Sequence, residues 1–409
     1  MSTQTEPTCS TLSPAAYRVR IQERIADVDA AAWDSLRRGD RDPVTHRRFL
    51  EAMETGMAGV SRFWHVLYFD DADQPVASAS LCLYRVDVAL LANGLIKRLV
   101  QGVRRFLSRP LEFPVLFCGL CFSAGQSNVR FAPGAQTAVV LQQLDELLLS
   151  IAARERAKCV VFKEFKPSET TALDGLLELG YQRADSLPMN HVEPIYQSFG
   201  EFVARQKSSR RYAIRKSQKK FALSGLRVEQ MLGGEGADRL FTDDAYRLFE
   251  TVYDRARVRL EKVTAEMFRE LARKLPEQTA WTFIFQGERI VAFAVSLFTP
   301  AVYHQMFVGY DASLNAEHDL YFNLFFHAMD RAYRQNCGVI HVGQSADEFK
   351  HQKLGCHQRP LCFYIKGTDW LGRQILGRFG NAIFPPRPAR ADDLPPDAQR
   401  PSQTPPPTN

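Results

Sequence analysis

Between about residues 17 and 366 the chain runs twice through one succession of patterns, and this repeat constrains the fold more than any single motif. In the first pass "YRVRIQERI" reads as a strand and Ala30 to Gly56 as helical. "RFWHVLYFD" and "PVASASLCLY" read as paired strands joined at Asp70, Asp71, Asp73, Gln74 and Pro75, with "FPVLFCGLCF" as a third apolar strand. "AQTAVVLQQLDELLLSIAARERA" puts Val140, Leu144, Leu147, Leu148 and Ile151 on one helical face. "KCVVFKEF" is the next strand, and a short helix through "ALDGLLELGY" stops at Gly180 as a C-cap glycine. The second pass has the strand "LRVEQ", helices over about 243–258 and 264–275, and the hairpin "TAWTFIFQGERIVAFAVSLF" turning at Gln286–Gly287–Glu288. The strand "AVYHQMFVGYD", the helix "EHDLYFNLFFHAMDRAYRQN", the strand "GVIHVG", a short helix through "DEFKHQKLG" and a closing strand "LCFYIKG" complete it. Both short helices end on Leu–Gly, at Leu179–Gly180 and Leu354–Gly355, and the next residues rhyme, "GYQR" against "GCHQR".

A length of 409 residues is too great for one ordinary core and fits two domains. The predicted organisation is a disordered lead-in over 1–16, an N-terminal domain over 17–195, a C-terminal domain over 196–370, and a Pro-rich tail over 385–409 too poor in apolar residues to offset its ordering entropy. An amphipathic segment near 88–110 is inserted in the first domain. It is too short and too interrupted by Gly94 and Lys97 to span a bilayer, although a peripheral membrane contact is compatible with Arg98, Arg104 and Arg105. The net charge of +6 is small for this length and does not call for nucleic acid. Eight cysteines, most in apolar runs, and a polar start without a secretory signal point to reduced thiols and a cytoplasmic location. The oligomeric state is not legible.

Strand, helices, antiparallel hairpin, then strand–helix–strand makes a mixed, mostly antiparallel sheet flanked by helices, an α/β (α+β) fold present twice. In such sheets a ligand sits beyond the carboxyl end of a strand, at the N-terminus of the crossover helix, where unpaired N–H groups suit a phosphate. In the second half this place is "VGYDASLNAEHDLYF".

Three segments carry a family resemblance: the basic stretch "SSRRYAIRKSQKKFALSGLRVEQ", the helix and strand "LYFNLFFHAMDRAYRQNCGVIHVGQS", and the Lys-rich turn "DEFKHQKLG". Over roughly residues 200–366 the chain resembles the GNAT-type acyltransferases, in particular the branch related to the FemAB aminoacyltransferases, which are also duplicated. The resemblance implies an N-acyltransferase that moves an acyl group from acyl-CoA or a similar carrier to an amine by direct attack. It leaves two alternatives: a FemAB-like transferase using aminoacyl-tRNA, and a non-catalytic binding module on the same fold. One departure bears on the donor. Where GNAT enzymes grip the coenzyme A pyrophosphate with a Gly-rich loop, this chain has only Gly309, followed by Ala312, Ser313 and Ala316.

The candidate site residues follow. Lys350 is expected to stabilise the oxyanion formed when an amine attacks a thioester or ester. Tyr321, opening the crossover helix, is a candidate to protonate the leaving thiolate, and Asp311 to accept the amine proton, unless it merely starts a turn. Arg211, Arg215 and Lys219 share a helical face and, with Lys353, are candidates for the donor's phosphates; the other reading of that face is a solvated one. Gln344, Ser345, His304 and Tyr310 are candidates for the acceptor cleft, where strand alternation puts His304 on the face of Met306 and Val308. Cys118 and Cys121 lack a helix N-terminus or a second ligand pair, so no metal is expected. The motifs G-x-x-x-x-G-K-[ST], H-E-x-x-H and G-x-S-x-G are absent from the sequence, which argues against nucleotide hydrolysis, zinc proteolysis and α/β-hydrolase chemistry.

Overall fold

The computed structural model describes residues 16–87, 112–122, 124–256, 262–344 and 350–386. The expected insertion near 88–110, Ser345 and nearly all of the lead-in and tail lie outside the described residues.

The N-terminal half contributes β1 (Arg18–Gln22), β2 (Ser61–Phe69), β3 (Pro75–Asp87), β4 (Glu112–Cys118), β5 (Val129–Phe131), β6 (Cys159–Phe165), β7 (Gln182–Asp185) and β8 (Met189–Val192). The C-terminal half contributes β9 (Arg227–Leu232), β10 (Thr279–Gln286), β11 (Arg289–Phe298), β12 (Val302–Tyr310), β13 (Val339–His341), β14 (His357–Arg359) and β15 (Cys362–Gly367). The principal helices are α1 (Ala30–Leu36), α2 (Arg47–Gly56), α3 (Thr137–Glu155), α4 (Phe199–Arg205), α5 (Ser208–Ala222), α6 (Asp243–Arg255), α7 (Ala265–Lys274), α8 (Ala312–His318), α9 (Leu320–Arg334) and α10 (Trp370–Ile383).

Two mixed sheets result, of the same design. One runs β1-β2-β3-β4-β6-β15-β7 and the other β9-β10-β11-β12-β13-β8-β14. Each half lends the other one inner strand. β8 leaves the N-terminal half to pair with β13 and β14, and β15 leaves the C-terminal half to lie between β6 and β7. The strand "LCFYIKG" therefore closes the first sheet, not the second, and a single cut at residue 195 does not separate the two sheets. The rhyming dipeptides mark equivalent edge strands, β7 and β14.

A buried ion pair fixes β15 in its foreign sheet. Lys366 Nζ donates to Asp145 of α3 at 2.8 and 3.0 Å, and the Tyr181 hydroxyl donates to the same carboxylate at 2.7 Å. With both charges buried, a slipped register would strand an unpaired ion in the core.

Packing joins the halves further. α2 and its counterpart α7 meet where a Cβ on Gly56 would lie 2.4 Å from the Met267 Cα, so only glycine permits the approach. α7 presents Met267, Phe268, Leu271 and Ala272 at helical spacing and is capped by Thr264, whose hydroxyl accepts from Met267 N–H at 3.1 Å. The resulting core is continuous between the sheets, taking Phe49, Met53, Phe117 and Ile365 together with Phe268, Trp281, Phe293 and Val295. α3 covers the other face of the first sheet, and α4 and α9 that of the second. The described cysteines are buried free thiols.

Candidate functional site

β12 and β13 run parallel for only three pairs, from Val302↔Val339 to His304↔His341. β13 then stops, while β12 continues to Tyr310, so a gap opens in the sheet. A bulge widens it: Val295 of β11 pairs with Phe307 and Ser296 with Gln305, leaving Met306 extra. The bulge inverts the alternation beyond it. His304 pairs with Leu297 and Phe307 with Val295, so His304 shares its face with Phe307, not with Met306 and Val308 as the sequence alternation implies.

A cavity of about 200 Å³ fills this gap. From the α9 side it is bordered by Tyr321, Phe325 and Lys350, and from the α6 side by Phe249, Val252 and Tyr253. His304 to Val308 form one wall and Val342 to Gln344 the other, while Phe122 and Leu187 come from the N-terminal half.

Lys350 is 2% exposed, and its ammonium lies 5.6 Å from the centre of the Phe325 ring. It is carried by one wide turn of π type, Lys350–Leu354. Arg210 of α5 clamps that turn from behind, donating to the carbonyls of His351 and Gln352, each at 2.9 Å, and to Gln206 Oε1 at 2.8 Å. Gly355 makes room for the clamp: its φ is +66°, and a Cβ there would lie 2.7 Å from Arg210 Nη1. Gly343, at φ +86°, turns the opposite wall away, and a Cβ on it would stand 3.3 Å from Lys350 Nζ.

Tyr321 packs edge-on to Phe325 at 4.8 Å, and burial pushes its phenol far up, so it holds its proton at neutral pH. Tyr310 lies one ring away, 5.5 Å from Tyr321. Burial, then the neighbouring Lys350, lowers His304 to about 4, so it is neutral at pH 7. Gln344 ties the wall to the other half, its Nε2 donating to Glu164 Oε1 at 3.0 Å and to the Leu187 carbonyl at 2.9 Å.

Several expected site residues are placed elsewhere. Asp311 caps α8, accepting from Ser313 N–H at 3.0 Å, and pairs with Arg289. The Ser313 hydroxyl, more than any other contact, holds the carboxyl below its ordinary range. Asp311 is not among the residues that border the cavity. Arg211 donates to the carbonyls of Ala204 and Gln206, and Arg215, Lys219 and Lys353 are exposed away from the cavity wall. Gly309 serves packing, since a Cβ there would lie 2.7 Å from the backbone nitrogen of Phe249. The α9 N-terminus is already occupied by the chain: Tyr321 N–H donates to Asn315 Oδ1 at 2.8 Å, and the Asp319 carboxylate stands beside it, paired with Lys220 at 3.0 Å. The reading of the sequence missed Gln305, the aromatic residues of α6 and the Arg210 clamp; only Arg210, lying in the basic run, left a trace there.

Residues 208–351 match the family model described as acetyltransferase (GNAT) domain. Among solved structures the chain is similar to a tandem GNAT protein from the clavulanic acid biosynthesis pathway, at 11% identity and a TM-score of 0.52, covering 86% of this chain and 99% of that one. It is also similar to the C-terminal domain of a putative lysylphosphatidylglycerol synthetase from Agrobacterium fabrum, at 11% identity and TM-score 0.49 over 88% of this chain and 98% of that one. FemX aligns at 10% identity and TM-score 0.47 over 76% of this chain and 90% of that one. No curated protein matches the chain. The shared strand order of the two sheets agrees with these comparisons: the chain has the fold of a tandem GNAT protein, and its segment 208–351 matches the acetyltransferase (GNAT) domain model.

Proposed function

We propose that the C-terminal half is an N-acyltransferase, taking an acyl group from coenzyme A or a similar carrier and passing it directly to an amine. The observation that carries this reading is that the buried Lys350 ammonium and the Tyr321 phenol, both beside the Phe325 ring, border one cavity in a gap of the sheet. The donor carbonyl lies in the gap near Lys350, whose fixed charge stabilises the oxyanion formed on attack. The Tyr321 phenol, protonated at neutral pH, gives its proton to the leaving thiolate. Gln344 and the α6 aromatic residues orient the acceptor, which enters from the opposite face. Direct transfer needs no covalent enzyme intermediate.

The crowded α9 N-terminus favours a second reading of the donor. With a carboxylate and a side-chain amide at that helix end, a pyrophosphate is less well served there than on the exposed cations Arg215, Lys216 and Lys219 of α5. That basic face suits aminoacyl-tRNA.

Isothermal titration with coenzyme A and short acyl-CoAs tests the first reading. Micromolar binding that weakens in Lys350→Ala is the expected result. No binding at millimolar ligand would remove the coenzyme A donor. Salt-dependent binding of charged tRNA would then support the second reading, and indifference to both would leave a binding module without chemistry.

A further inference from the structure

Four histidines stand on one rung across four neighbouring strands. His304 on β12 is the register partner of His341 on β13, His341 of His191 on β8, and His191 of His357 on β14. Register partners project from the same face of a sheet. The rings of His304 and His341 meet edge-on at 5.4 Å and those of His191 and His357 lie 6.1 Å apart. The row begins at the cavity, where His304 is part of the wall, and ends at the sheet edge with His357 exposed. Between these ends it is buried: His304 and His341 are 3% exposed and His191 is 8%.

Both ring nitrogens of His341, and Nδ1 of His191 and of His304, are buried without a hydrogen-bond partner among the described residues. Buried polar groups are normally satisfied by protein or by ordered water. Orphaned nitrogens along one line are therefore places for bridging water. The described residues hold no group of three or more side chains arranged to bind a metal, and the rings follow a line instead of converging on a point.

We propose that His304, His341, His191 and His357 form a water-bridged proton conduit that carries the amine's proton from the cavity to the solvent. This rests on the N-acyltransferase reading. When an ammonium acceptor reacts with a thioester, a C–N bond forms and a C–S bond breaks. The products are an amide, a thiol and one proton, which has to leave the cavity. His304 takes the proton on one ring nitrogen and gives up another from its second, and each later ring repeats the exchange. The charges facing the row are Lys350 beside His304, Lys166 and Arg359 beside His341, and Arg359 and Glu193 beside His191. Burial first, then Lys350 at His304 and Arg359 at His191, hold these two at about 4, and burial, then the neighbouring His304 and Arg359, hold His341 well below its ordinary value. At neutral pH every inner ring is thus uncharged, with one donor and one acceptor nitrogen, and no stored proton blocks the row.

The test uses the full-length protein with 15N-labelled histidine and tryptophan. Exchange of the His341 ring N–H with water is compared by NMR with that of the Trp281 indole N–H, which is buried and donates to Thr279. The His341 proton is expected to exchange at least ~100-fold faster, and His191→Phe to slow it by about tenfold. Exchange as slow as at Trp281 overturns the conduit. In turnover, His341→Phe removes a ring that does not border the cavity. It is expected to lower kcat by ~10–100-fold at unchanged donor Kd, with an enlarged solvent deuterium isotope effect. An unchanged kcat in folded His341→Phe overturns the proposal as well. A wild-type protein that turns over no donor refutes the acyltransferase reading instead, and the exchange comparison still decides whether the row connects the cavity to solvent.

Discussion

The two halves share a strand order but treat one place in it oppositely. In the C-terminal half, β12 and β13 part after three pairs, a bulge at Met306 spreads them, and a cavity with a buried lysine fills the gap. In the N-terminal half the corresponding β4 and β6 also part, after four pairs, but β4 keeps an unbroken register with β3, from Leu81↔Cys118 to Asp87↔Glu112. The chain leaving β4 then folds back over the place where the gap would be. Gly119 N–H donates to the Ser80 carbonyl at 2.8 Å, and Leu120, Cys121, Phe122 and Ala124 are buried. Gly125 N–H donates to Glu164 Oε2 at 2.6 Å, and β5 resumes pairing with β3. One copy has kept an opening and the other has become its wall: Phe122 borders the neighbour's cavity, and Glu164 holds Gln344. A fold present twice does not supply two sites, because only one copy leaves the space beyond its parted strands unfilled.

The sharpest way to break this contrast is to delete Met306. Without the extra residue β12 would pair as regularly as β4, and donor binding should weaken by ~100-fold or more in titration while the far-ultraviolet circular dichroism is kept. Retained binding would mean that the bulge is incidental. The next test sets the halves directly against each other. Lys350→Met should lower kcat by about 10²–10³-fold. Lys163→Met, which replaces the lysine over the Phe117 ring in the closed half, should stay within about twofold in the same assay. Equal losses would show that both halves carry chemistry.

A third test concerns the exchanged strand. Asp145→Ala leaves the Lys366 ammonium buried without its carboxylate and should cost about 3–5 kcal/mol in denaturant unfolding, whereas the double change Asp145→Leu with Lys366→Met should recover most of it. The fourth is an acid response of the second sheet. His191 and His304 have folded values near 4, below the ordinary 6.5. The unfolded chain therefore binds protons that the folded one refuses. Stability is fully present above pH 6.5 and falls as pH drops toward about 4, and the melting temperature of His304→Phe should fall less steeply over that window. The smallest effect is at Asp311. Asp311→Asn keeps the cap and should leave kcat within about twofold, while Asp311→Ala should cost about 1 kcal/mol of stability. Because the Asp311 carboxyl is held low in the folded state, its contribution is present above the ordinary carboxylate range and is lost as pH falls through its folded value.

Element order was legible because it is written locally. Apolar alternation and turn residues announced β2, β3, β10 and β11, and helical spacing announced α3 and α9. Sheet membership was not legible, since β8 and β15 look the same from within whichever sheet receives them. β5 was too short to register, and α10 was not read at all. Of the residues that border the cavity, the resemblance around the Lys-rich turn singles out Lys350, and chain position Tyr321 and Gln344. The bulge defeated alternation at His304. The histidine row was out of reach, because residues 191, 304, 341 and 357 become neighbours only after the exchange of β8 and a crossover. Within the basic run Arg210 and Arg211 bind carbonyl oxygens that end or shape turns, a role that charge alone does not distinguish from phosphate binding.

The reciprocal loan of β8 and β15 also sets a timetable. As the chain is synthesised, its first half emerges with a vacant slot between β6 and β7, and β7 has no neighbour to pair with until residues 362–367 arrive. The second half is begun by a strand made before it, β8, which must wait for β13. Neither sheet can be finished alone, so the halves cannot be parted into separately made pieces without leaving each an open edge. Two halves of one strand order thus make a single indivisible unit.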